Sequence, residues 1–201
     1  YIYMKIVEVV IDENDETSGI EAISVVETPA IEENFVALNK HELQLKEVNK
    51  EKRILMGAAL IPDKSIYRRN DKGDEYYIYF SKETVRKASE LFFKRSNHKN
   101  ATYEHKQPIE GMTIVESWIV ENTKQDKSAL YGLNLPVGTW AVSMKVDNDE
   151  IYEKAKKGEV KGFSIEGYFA DKLDMSMQEA KRQETINKLK ELLKTPTIEN
   201  K

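Results

Sequence analysis

The chain has 201 residues, 31 Lys and Arg against 35 Asp and Glu, a formal net charge of −4 and no cysteine. That acidic balance argues against a general nucleic-acid binder, whose phosphate ligand calls for a basic surface. Without cysteine there can be no disulfide, thiolate zinc site or cysteine nucleophile.

Ile2–Ile11 is rich in Val and Ile and reads as a strand. Asp12–Gly19 is a polar turn, and Ile20–Val26 a second strand stopped by Pro29, which cannot donate to a ladder. Residues 39–52 are dense in charge and read as a linker or an exposed helix. Arg53–Leu60 is a third strand, Asp63–Asp74 a charged loop and Tyr76–Phe80 a short aromatic strand. Ser81 then suits a helix N-cap. Val85, Ala88, Leu91 and Phe92 follow at helical spacing through about Arg95. Strands are expected at Ala101–His105, Met112–Val120, Ala129–Leu135 and Thr139–Val146. Asp147 or Asn148 caps a short helix carrying Ile151, Tyr152 and Ala155, and Gly158 is its left-handed stop. Val160–Ala170 is the last strand. Beyond it Ile186, Leu189, Leu192 and Leu193 make a narrow apolar stripe among Lys and Glu, an amphipathic helix with no local partner.

The length fits one domain over residues 1–171, with 39–52 as a charged segment inside it, and a charged tail over 172–201. Seven or eight strands with two core helices predict an α+β fold: a mostly antiparallel, closed or nearly closed β-barrel with helices outside. No apolar run approaches the roughly 20 residues of a membrane helix. Tyr1–Val10 has neither the basic start nor the cleavage site of a signal peptide, so the chain reads as soluble and cytoplasmic.

Chemistry centres on Val160–Lys161–Gly162–Phe163–Ser164–Ile165–Glu166–Gly167–Tyr168–Phe169. In an extended segment positions 160, 162, 164, 166 and 168 share one face, while Phe163, Ile165 and Phe169 share the other and look like core. Ser164 is then a candidate nucleophile, with Gly162 leaving room for a substrate backbone. The bland alternative is an ordinary serine on a wet strand face. Of three histidines, His41 lies in the charged segment and His98 in a Lys/Asn loop. His105 ends a short strand before a proline turn, where an imidazole can be held and still reach a cleft. It is the candidate base. An acid must orient it. Glu21, in the apolar run Ile20–Ile23, is the candidate; Glu116 and Glu166 are alternatives, and Glu104 is expected on the opposite strand face. No HExxH pattern points to zinc. Asp147, Asp149 and Glu150 cluster as a nuclease would need, but where a helix cap is expected.

Read together, these segments resemble the prohead proteases of tailed bacteriophages, capsid-maturation serine proteases related in fold to herpesvirus assemblin. Ala101–Pro108 is similar to that family's histidine strand. Ile151–Gly158 followed by Val160–Gly167 is similar to its helix, glycine turn and nucleophile strand, and Leu130–Leu133 with Trp140–Val146 fills the interval in like order. The likeness covers Leu55–Asp171. Gly19–Ala30 resembles a strand that in many relatives follows the serine, so the chain looks like a circularly permuted sub-family. The resemblance implies Ser164 as nucleophile, His105 as base and Glu21 as acid, with no metal and no organic cofactor. It also implies scaffold and major capsid proteins as substrates inside the assembling prohead, in the host cytoplasm, with a homo-oligomeric enzyme. The tail from about Met175 to Lys194 suggests scaffold binding or self-cleavage. A non-catalytic scaffold or assembly component of the same fold is the alternative.

Overall fold

The structure, a computed structural model, describes residues 5–28, 36–37, 52–69 and 72–194. Twelve strands are placed among them: β1 Lys5–Val10, β2 Gly19–Val26, β3 Val36–Ala37, β4 Ile54–Leu60, β5 Ile66–Arg69, β6 Glu75–Phe80, β7 Ala101–Tyr103, β8 Gln107–Pro108, β9 Met112–Ile119, β10 Trp140–Val146, β11 Gly162–Tyr168 and β12 Ala170–Asp171. The helices are α1 Lys82–Lys94, α2 Lys127–Leu130, α3 Asp149–Lys156 and α4 Lys172–Lys194, with one turn of 3-10 helix at Asn97–Lys99.

The strands form three open four-stranded sheets, ordered β12-β1-β6-β5, β3-β4-β10-β9 and β11-β2-β7-β8. This corrects the expected barrel. Closure needs a second neighbour for every strand, and here each sheet ends in two edges. The alternating apolar pattern that suggested a barrel is shared by sheets packed face to face, since both bury one side of each strand. Most pairings are antiparallel, as expected, but β1–β6 and β2–β7 are parallel. Edge strand β8 ends in Pro108, which needs no ladder donor there.

One apolar core joins the layers. Trp140, Phe80, Phe92, Phe163, Leu55 and Met56 are wholly buried in it. Helix α1 points Val85, Ala88 and Phe92 inward and packs on β2, β6 and β10. Phe92 meets Trp140 edge to face at 5.4 Å, and Trp140 Nε1 donates to Ser117 Oγ at 2.8 Å, so the indole brings no unpaired donor into the core. The caps follow the sequence: Ser81 accepts from Thr84 N–H, Asn148 accepts from Ile151 N–H, and Gly158 takes φ +72° just past α3.

Two segments differ from expectation. Ala129–Leu135 is not a strand: Asp126 accepts from the Ser128 amide at 2.8 Å and its hydroxyl at 2.6 Å, which starts α2, and Gly132 turns the chain at φ +83°. The charged stretch Asp63–Asp74 contains β5, because Ile66 is buried and the strand pairs with β6. The expected linker at 39–52 falls outside the described residues, apart from Lys52.

Helix α4 leaves β12 and packs its start against β1 and β12. Lys172 Nζ lies 2.8 Å from Glu8 Oε2, and Tyr79 donates to the same oxygen at 3.2 Å. The lysine holds the Glu8 carboxyl below the usual carboxylate range. A depressed carboxyl value stabilises the fold above the unfolded value of about 4.3 and loses that contribution as pH falls through the folded value. Amide exchange at the start of α4 is therefore expected to quicken below about pH 4, after correction for intrinsic rates. Glu8→Gln should show the same quickening at neutral pH. Further along, Leu189 of the apolar stripe is 54% exposed.

Candidate active site

Sheet β11-β2-β7-β8 gathers the candidate residues. Strand β11 runs antiparallel to β2, with Ser164 opposite Ser24, and β2 runs parallel to β7, with Ser24 opposite Thr102. Residues directly opposite share a sheet face, so three hydroxyls form a row across three strands. The row is buried: Ser164 is 6% exposed, Ser24 0% and Thr102 8%. The wet face expected around Ser164 is therefore a covered polar one, and buried polar groups need partners. Ser24 Oγ donates to Thr102 O at 3.4 Å and accepts from the His105 amide at 3.1 Å. The Ser164 hydroxyl has no hydrogen-bond partner among the described residues.

His105 sits on the tight turn between β7 and β8. Lys106 N–H donates to Tyr103 O at 3.0 Å across it, and Glu104 and His105 both take positive φ, +50° and +55°. Two successive left-handed residues make a hairpin turn normally given to Asn and Gly. Each non-glycine residue in that region costs about 1–3 kcal/mol, and such strain gathers at functional sites. The ties are visible. Glu104 N–H donates to Val25 O at 3.2 Å, Glu104 Oε1 accepts from the Glu27 amide at 2.6 Å, and Ser24 holds the His105 amide. The turn is thus bound to β2 at three points, and the imidazole projects from it with 43% of its side chain exposed.

The acid that meets this imidazole is Glu166. His105 Nδ1 lies 3.1 Å from Glu166 Oε1, and Thr102 Oγ–H donates to the same oxygen. Glu166 is two residues beyond Ser164 on β11, hence on the same face and about 7 Å away along the strand. An ionised carboxylate only accepts, so the proton of the pair belongs on Nδ1 and Nε2 keeps its lone pair. No hydrogen bond joins Ser164 to the imidazole among the described residues. Strand β2 lies between them: Ser24 accepts from the His105 amide and faces Ser164 through the strand register alone.

The other candidate acids are placed elsewhere. Glu21 is exposed on β2, where it is the unpaired residue at the register shift opposite Glu166 and Gly167; its carbonyl accepts from Asn100 Nδ2 at 3.2 Å, and no hydrogen bond joins its carboxylate to His105 among the described residues. Glu116 belongs to another sheet and pairs with Lys127 at 2.6 Å. That ammonium holds the Glu116 carboxyl below its usual range, with Ser143 also contributing. Glu104 is spent on the Glu27 amide. His98 stacks on Phe93 at 6.1 Å, and His41 lies outside the described residues. The acidic trio is divided among separate cations: Asp147 with Lys145, Asp149 with Arg53 and Glu150 with Lys154. Among the described residues no group of three or more His, Asp or Glu is placed to hold a metal ion. A cleft of about 600 Å³ opens on the first sheet between Lys5, Val7, Tyr76, Ile78 and Phe169, and neither Ser164, His105 nor Glu166 lines it.

Sequence reasoning missed Ser24 and Thr102. Each is a plain strand hydroxyl, and only the cross-strand register brings them beside Ser164 and Glu166.

A serine hydroxyl, a histidine and a carboxylate against its Nδ1 are the residue types that a serine hydrolase uses. Over residues 42–174, more than half of the chain, the sequence matches the family described as "Putative phage serine protease XkdF", and it belongs to that family. The matched span includes Thr102, His105, Ser164 and Glu166; Glu21 and Ser24 precede it. No curated protein and no solved structure matches the chain.

Proposed function

We propose that the protein is a serine endopeptidase that cuts scaffold and major capsid proteins in the immature phage head. Ser164 Oγ attacks the peptide carbonyl. His105 takes its proton on Nε2 and returns it to the leaving amine. Glu166, rather than Glu21, holds the Nδ1 proton and stabilises the imidazolium. The observation that carries this reading is the His105 Nδ1–Glu166 contact at 3.1 Å, on the sheet face where Ser164 is buried. Closing the remaining step from Nε2 to Ser164 requires the side chains to tighten around substrate, a usual change from the free enzyme. The circular permutation is part of the proposal. In its favour, β2, the strand that resembles one following the serine in relatives, pairs antiparallel with β11 along its whole length.

The test is co-expression with the scaffold and capsid proteins of the same phage, and treatment of the purified chain with a fluorophosphonate. Defined cleavage products and a single adduct mapped to Ser164 are expected. Cleavage by a chain that the fluorophosphonate neither labels at Ser164 nor inhibits would overturn the assignment. Intact substrates throughout would favour the assembly-component alternative.

A further inference from the structure

We propose that Thr102 is a positioning residue: its hydroxyl fixes the Glu166 carboxylate against His105. The inference rests on the catalytic reading of Ser164 and His105. Glu166 stands at the β-bulge between Glu166 and Gly167, near the end of β11, with 30% of its side chain exposed. Nothing else in the described structure donates to its carboxylate except the His105 ring and the Thr102 hydroxyl. A glutamate has three rotatable bonds and water within reach at that exposure, so one contact to a mobile imidazole would leave it many orientations. The Thr102 donor is of a different kind. Its side chain is buried, its β-branched Cβ has few rotamers, and its strand is paired on both sides, to β2 and to β8. Both donors meet the same oxygen, Oε1, which is therefore located by a rigid strand rather than by the turn that carries His105.

The placement also accounts for the position of the residue. Thr102 lies opposite Ser24, whose Oγ holds the His105 amide. Backbone and ring of His105 are thus tied to neighbouring hydroxyls of one row: Ser24 directly, Thr102 through Glu166. Loss of the Thr102 hydroxyl should leave the turn in place and free the carboxylate.

The experiment compares Thr102→Val, Thr102→Ala and Thr102→Ser with the parent in cleavage of the scaffold protein. It also records imidazole ¹⁵N spectra of the full chain in a Ser164→Ala background. Val keeps the volume and branching of Thr, and a fall in kcat of about tenfold to a hundredfold is expected, the range for losing a hydrogen bond to a charged group. KM should stay within about twofold. Thr102→Ala should behave as Val does, and Thr102→Ser should recover most of the rate. In the spectra the neutral His105 ring of the parent should carry its proton on Nδ1, and Thr102→Val should move it toward Nε2. A parental kcat for both Val and Ala, a Ser variant as poor as Val, or an unchanged tautomer would each overturn the inference. If Val does not fold, the Ala and Ser variants and their spectra decide it. Undiminished cleavage by Ser164→Ala would instead overturn the catalytic reading itself, whatever Thr102 does.

Discussion

Glu166→Gln is expected to lower kcat by a factor of about 10²–10⁴ with little change in KM, and Glu21→Gln to leave both constants at parental values. Gln keeps the size of Glu166 but can present an amide N–H₂ where the Nδ1–H of His105 needs an acceptor. The ring then prefers the other tautomer, with its proton on Nε2, and cannot accept from Ser164. Glu21 serves as the control because its carboxylate makes no hydrogen bond to His105 or Thr102 among the described residues, and only its carbonyl is engaged, by Asn100 Nδ2. Ser164→Ala and His105→Ala should each cost on the order of 10⁴–10⁶. Combining either with Glu166→Gln should cost little more, since residues that act as one unit are not additive. The measurement is steady-state cleavage of purified scaffold protein by the four single and two double variants. A Glu21→Gln enzyme as impaired as Glu166→Gln would return the acid role to β2.

Gly167→Ala is expected to cost about 3 kcal/mol of stability, at the upper end for overpacking, and to depress activity beyond what the loss of folded protein explains. A Cβ at 167 would collide with the Gly19 carbonyl oxygen and come within 2.8 Å of the Ile20 Cα. Both are backbone atoms of β2, which cannot swing aside as a side chain could. The chain must therefore part β11 from β2 at the bulge, and Glu166 is the residue on the near side of it. Denaturant melts report the stability. Activity normalised to active sites, counted by fluorophosphonate titration, reports the misplacement of Glu166. A variant with parental midpoint and parental specific activity would show that this close approach is not required. At Gly158, by contrast, no atom lies near an added Cβ, and only the positive φ would penalise a side chain there.

Much of the site sheet was legible because its clues are local. The alternation along Val160–Tyr168 puts Ser164 and Glu166 on one face, and both were candidates from the sequence. His105 stood out by its rarity and the proline beyond it. Glu21 was the first choice of acid and Glu166 an alternative, whereas the carboxylate beside the His105 ring is that of Glu166. An unexpected carboxylate in an apolar run shows that something needs explaining, but its face depends on which neighbours the strand acquires. Those neighbours, β7 and β11, are about 80 and 140 positions away in the chain. Ser24 and Thr102 were invisible for the same reason. So was the open arrangement of the sheets, because a strand's own pattern says which side is buried and not whether its last neighbour closes a ring. The turn at Glu104–His105 was not foreseen: the strand was expected to run through His105, and ties to Val25, Glu27 and Ser24 help hold both residues at positive φ.

Strand β2 is the middle plank between Ser164 and His105, and it precedes β11 by about 140 positions of chain. Ser24 and Ser164 come together across an interval whose closure is entropically slow and cannot begin until Tyr168 has left the ribosome. On the proposed reading, chain order alone delays assembly of the site. A growing polypeptide that already carries the His105 turn lacks Ser164 and Glu166 until β11 docks on β2, and so would hold no working site before then.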